Sequence, residues 1–182
     1  MKNQLIASIV GGLILFIWQF LSWSIANVHG ADFQYTANQD QIMEVLSQHL
    51  EQGNYLLPQP PKDASQADQQ AFMESHMGKP WAMVQYRSAM SMSMGMNMFR
   101  GLVVDMVAVF LLVWLLGKFA SLNFQTILLS ALAIGGIGYL TIPYLNSIWF
   151  EGNTIGYLVD AVVSWGLVGS WLGWWMTRRA AA

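Results

Sequence analysis

Four long apolar stretches dictate most of what this chain can fold into. Leu5 to Ala26 is broken only by Gln19 and by small Ser and Gly residues, and its length of about 22 residues meets the roughly 20 needed for an α-helix to cross the hydrocarbon of a bilayer. Gly101 to Gly117, Phe124 to Leu145 and Ile155 to Met176 follow, separated by Lys118 to Asn123 and by Asn146 to Thr154. Gly101 to Gly117 is short for a span, so its helix is expected to begin upstream, near Met96 or Met98. A signal peptide is the competing reading of the first stretch, since Lys2 precedes it and Ser24-Ile25-Ala26 has the small-x-small form of a cleavage site. The apolar run exceeds the about 7 to 15 residues of a signal h-region, which favours a retained span.

Composition agrees with lipid as the solvent: 55% of the 182 residues are hydrophobic and 10% charged, against about 25% charged in an ordinary soluble domain. A net charge of −2 offers no broad basic surface, and none of the usual nucleic-acid motifs is present, so no nucleic-acid partner is expected. The absence of cysteine excludes disulfides, thiolate metal sites and a thiol nucleophile.

Lys2, Lys118, Arg178 and Arg179 flank the spans, while the loop after the third carries Glu151 and no basic residue. With four spans those basic residues fall on one side. The positive-inside rule then predicts both termini in the cytoplasm, residues 28–98 outside and Arg100 at the outer interface. Tyr144 and Trp149 at the outer boundary, with Trp174 and Trp175 at the inner one, form the matching aromatic belts. Small residues recur at helix-packing spacing in Ala7 with Gly11, Ser8 with Gly12, Ala131 with Gly135 and Gly169 with Gly173. Such faces let helix backbones approach closely, either within this bundle or against a partner subunit.

The expected organisation is a first span over 1–27, a small extracytoplasmic α/β domain over 28–98, and three closely connected spans over 99–179. In the inserted domain the order reads strand, helix, strand, helix, strand. Phe33-Gln34-Tyr35 is the first strand candidate, and 39–50 reads as an amphipathic helix with Ile42, Met43, Val45, Leu46 and Leu50 at helical spacing. Tyr55-Leu56-Leu57 precedes Pro58. Ser65 followed by Asp68 resembles a capping box that opens a helix ending at Gly78, and Trp81 to Arg87 is the last strand. About 70 residues are marginal for independent stability, so this domain is expected to rest on the outer ends of the spans.

Two ionisable residues sit inside spans. Asp105 lies about four residues into the second and Asp160 about five into the fourth, which places both roughly 6 to 9 Å below the outer boundary. Gln19, Tyr139 and Thr141 reach a similar depth, with Arg100 at the entry and Ser164 on the Asp160 stripe. An intramembrane carboxyl is by default a functional-site hypothesis, here a proton or cation site shared by Asp105 and Asp160. The plainer reading is that both accept hydrogen bonds from Tyr, Thr, Gln or Arg100 and tie the bundle together. Met90, Met92, Met94, Met96 and Met98 alternate with small polar residues. As a strand they would present five thioethers on one face; as a helix Met90, Met94 and Met98 would stand opposite Met92 and Met96. Thioethers suit Cu(I), with His76 in the same domain, but Met is also the adaptable filler of hydrophobic surfaces. His29 reads as an interfacial residue and His49 as a helix-surface one. Without an HExxH, GxSxG, P-loop or dinucleotide fingerprint, no enzyme chemistry and no cofactor other than Cu(I) is suggested.

The layout of a first span, a segment with Tyr55-Leu56-Leu57-Pro58, then Gly78-Lys79-Pro80-Trp81-Ala82 and three closely spaced spans, resembles small four-span bacterial inner-membrane proteins of uncharacterised function. The resemblance implies a bacterial inner membrane and supplies no activity. Altogether the sequence leads to the expectation of a non-catalytic accessory, assembly or scaffolding protein whose partners are the lipid bilayer and a membrane protein or a second copy of itself. An ion- or metal-handling protein is the alternative.

Overall fold

In the computed structural model residues 2–91 and 93–180 are described, the side chains of Lys2, Arg179 and Ala180 excepted. From the N-terminus the elements are α1 (Lys2–Ser24), α2 (Gln39–His49), β1 (Gly53–Leu57), α3 (Gln66–His76), β2 (Ala82–Tyr86), α4 (Met94–Leu116), α5 (Phe124–Tyr139), α6 (Leu145–Phe150) and α7 (Ile155–Ala180). A π-helical turn, Leu140–Tyr144, joins α5 to α6. They form two units, Met1–Gln34 with Ser93–Ala182, and Tyr35–Met92.

The first unit is a bundle of four helices long and apolar enough to cross a membrane: Asn3–Ser24, Met94–Leu116, Phe124–Phe150 and Ile155–Arg178. Two boundaries differ from the sequence expectation. The second helix starts at Met94, the Met residues and the Leu, Val and Phe residues that continue it outweighing the helix cost of Gly95 and Asn97. The third does not stop at Leu145 but runs on to Phe150. Pro143 has no N–H for a regular turn, and the chain widens into a π-turn instead of breaking, with the Thr141 hydroxyl donating to the Ile137 carbonyl at 2.6 Å.

Within the bundle α1 packs along α4 and α5 along α7, and α1 also meets α7. The small-residue faces lie in these seams. A Cβ on Gly12 would stand 2.7 Å from the Met106 Cα, and one on Gly135 would stand 2.7 Å from the Ala161 carbonyl oxygen. Gly12→Ala is therefore expected to force α1 from α4 and destabilise the bundle by about 1 to 3 kcal/mol. Gly136→Ala is the control, since its Cβ would meet nothing within 4 Å. Equal thermal midpoints for the two variants in detergent would rule out the close approach. The apolar core fills one half of the bundle, where Ala7 and Leu15 of α1 meet Val109, Leu112 and Leu116 of α4, and Ile127 of α5 meets Val168 and Leu172 of α7. Of the buried polar groups Ser8 lies near the start of α1, while Ser22, His29 and Asp105 lie in the other half, where α1 ends and α7 begins.

The second unit holds α2, α3 and an antiparallel pair, β1 with β2, in register from Gly53↔Tyr86 to Leu57↔Ala82. Its order is helix, strand, helix, strand. Phe33-Gln34-Tyr35 forms no strand: the sheet consists of β1 and β2 alone, and with Phe33 and Tyr35 exposed the segment buries no apolar face that would fix it in an extended ladder. The Ser65 cap is as expected, its hydroxyl accepting from the Asp68 N–H at 3.2 Å. Among the described residues of this unit Tyr86 is the one buried large hydrophobic side chain, while Ile42, Met43 and Val45 of α2 are exposed.

Candidate functional site

The polar half of the bundle is organised around a residue the sequence did not single out. At the end of α1 the backbone of Asn27 turns into the left-handed region, φ 50°, which Asn tolerates better than most residues. The following turn, closed by the Gly30 N–H on the Asn27 carbonyl and the Asp32 N–H on the His29 carbonyl, carries His29 back into the bundle. There it is 4% exposed, so the histidine expected just beyond the first span is a buried one. Room for it is made by Gly156 on α7, where a Cβ would lie 2.9 Å from His29 Nδ1.

The imidazole stands between two carboxylates. Nδ1 is 2.8 Å from Asp32 Oδ2 and Nε2 is 2.9 Å from Asp160 Oδ2. Asp160 Oδ1 in turn accepts from Trp18 Nε1 at 2.9 Å and from the Ser22 hydroxyl at 2.6 Å, and Asp32 Oδ1 accepts from Asn153 Nδ2 at 3.4 Å. Trp23 stacks on the imidazole at 3.9 Å between centroids and 7° between planes, while Tyr157 meets it edge-on at 4.9 Å. A neutral imidazole has one N–H and would face the second carboxylate with a lone pair; the imidazolium donates to both. Burial pulls the His29 pKa down, but the hydrogen bonds and charges of Asp160 and Asp32 outweigh it and hold the value above the ordinary 6.5. The result is a hydrogen-bonded clasp of the α1 turn onto α7, ion-paired when His29 is protonated.

Of the residues expected at this level, the bundle joins Gln19 to Asp105, Nε2 donating to Oδ1 at 3.1 Å. Asp105 and Asp160 both bind α1 but share no hydrogen-bond partner. Gln19 serves one; Trp18 and Ser22 serve the other. Asp105 is 5% exposed, and its Oδ2 has no hydrogen-bond partner among the described residues. Ser164 donates to the Asp160 backbone carbonyl rather than to its carboxylate. Tyr139 pairs with Thr154 at 3.1 Å, Thr141 with its own helix, and Arg100 is exposed with no ion pair among the described residues. The donors expected for the carboxylates, Tyr, Thr and Arg100, are thus replaced by Trp, Ser and His, with Gln19 retained.

The methionine run is not one surface. Met90 lies outside any regular element, Met94, Met96 and Met98 are on α4 with Met96 turned away from the other two, and Met92 lies outside the described residues. His76 is in α3, its ring stacked on Phe72 at 4.0 Å and its Nδ1 2.8 Å from the Phe72 carbonyl oxygen. Among the described residues no group of three or more His, Cys, Asp or Glu side chains has metal-binding geometry. No known protein family, curated protein or solved structure matches this chain.

Proposed function

We propose that this chain is a non-catalytic multi-pass protein of the bacterial inner membrane, an accessory, assembly or scaffolding component of a membrane complex. The observation that carries this reading is the internal use of the His29 cluster. Both nitrogens of His29 and all four oxygens of Asp32 and Asp160 engage groups of the bundle itself, which suits a clasp and leaves little to act on a substrate. The apolar surface of the second unit supports a partner: Ile42, Met43, Val45, Met73, Trp81 and Met83 are exposed on a unit that buries little of itself. That partner is a membrane protein or a second copy of the chain, alongside the lipid bilayer. The orientation that goes with it has both termini in the cytoplasm and residues 28–98 outside. It is supported by the basic residues at one end, where Lys118 lies 5.0 Å over the Trp114 ring and Arg178 4.8 Å over the Trp174 ring.

Mild-detergent purification from native membranes, with mass spectrometry of what co-elutes, tests the reading. A stoichiometric membrane-protein partner or a homo-oligomer is expected, and a solitary monomer would sink it. A second reading, an ion- or metal-handling protein, is favoured by one observation: the unpartnered buried oxygen of Asp105.

A further inference from the structure

Two aspartates lie in the same half of this bundle, Asp105 buried and Asp160 partly so, and the bundle treats them differently. Asp160 receives a Trp N–H and a Ser hydroxyl on one oxygen and the His29 ring on the other. Asp105 receives one neutral amide hydrogen bond, on Oδ1, and its Oδ2 is buried with no partner among the described residues. A carboxylate left in that condition keeps a full charge in apolar surroundings without the donors that would repay its desolvation, whereas a neutral carboxylic acid does not. We propose that Asp105 is a proton-binding site in the α1–α4 seam, taking up and releasing a hydrogen ion on Oδ2, and that Asp160 is not part of it.

The surroundings select the proton over a metal ion. Ca²⁺ or Mg²⁺ requires about six or more oxygen ligands, and the groups assembled here are one carboxyl and one amide. A proton needs one oxygen. Among the described residues no group of opposite charge pairs with Asp105. From α1 it meets Gln19; on its own helix Arg100, five residues earlier, is exposed with no ion pair among the described residues; on α7 Asp160 is engaged with His29; and on α5 Tyr139 is bonded to Thr154.

The inference deepens the ion-handling reading and is independent of the accessory one, whose co-purification test it leaves untouched. Infrared difference spectroscopy of the full-length protein in liposomes reads it directly, because a carboxylic acid has a carbonyl band that a carboxylate lacks. At mildly acidic pH the wild type minus Asp105→Asn spectrum is expected to contain that band. The band should shift in D₂O and be lost reversibly as the pH is made alkaline. Should Asp105→Asn fail to fold, Gln19→Leu keeps the acid and removes its hydrogen bond, and is expected to shift the same band to higher frequency. An Asp105 seen only as carboxylate from mildly acidic to alkaline pH, with no band that Gln19→Leu moves, overturns the proposal. So does replacement of the band by a carboxylate signal on adding Na⁺, K⁺ or Mg²⁺, which would make the ligand a metal cation.

Discussion

Replacing His29 with Leu is expected to lower the stability of the bundle by about 3 kcal/mol, the largest single-residue effect outside the apolar core. The imidazole is 4% exposed, and its loss strands two carboxylates that face it at 2.8 and 2.9 Å. Removing one partner of a buried ion pair costs about 3 to 5 kcal/mol, because the remaining charge stays desolvated. The lower end applies here, since the Asp160 side chain is 19% exposed and keeps Trp18 and Ser22 as donors. Thermal melting in detergent measures the loss. Adding Asp160→Asn to His29→Leu removes one stranded charge, so the double variant should be less destabilised than the sum of the two singles. Additive losses would mean that the two residues do not act as a pair.

The second large effect is on the pH dependence of stability. An imidazole whose pKa is higher in the folded protein than in the unfolded chain binds more protons when folded. Its contribution is complete below the unfolded value near 6.5 and is lost as pH rises through the raised folded value. The melting midpoint is therefore expected to fall as the buffer goes from mildly acidic to alkaline, with a slope of at most about 1.4 kcal/mol per pH unit for one proton. As His29 loses its proton, one of the two flanking carboxylates faces a lone pair, and the α1 turn loosens from α7. His29→Leu should flatten the curve over this range. An unchanged slope in that variant would place the titrating group elsewhere.

Much of the bundle was legible in the sequence because the signals involved are local and additive. An apolar run of the right length is a membrane-length helix whatever surrounds it, and Ser65 before Asp68 caps α3 with atoms three residues apart. The small-residue faces were legible as faces, and their use between α1 and α4 and between α5 and α7 became clear once the helices were paired. Where the reading failed, the cause was a missing partner or a local accommodation. Phe33-Gln34-Tyr35 has the composition of a strand but pairs with no other strand, and the third helix passes the expected end at Leu145 and reaches Phe150 through a π-turn at Pro143.

The candidate site divides along the same line. That Asp105 and Asp160 stand out as ionisable residues in apolar helices follows from the sequence alone, because any carboxyl in an apolar span carries a cost of leaving water that its neighbours must repay. What each does with its charge was decided by tertiary structure. His29 and Asp160 are 131 residues apart, and no spacing rule links a turn after one helix to the first turns of another. The contact exists because Asn27 reverses the chain, Gly156 leaves room for a ring, and α1 lies against α7. One carboxylate consequently acquires three donors and the other a single amide, although the sequence presents them as equals. Hydrogen bonds are directional and short, so their partners are settled by packing, whereas the transfer of an apolar helix to lipid depends only on composition and length.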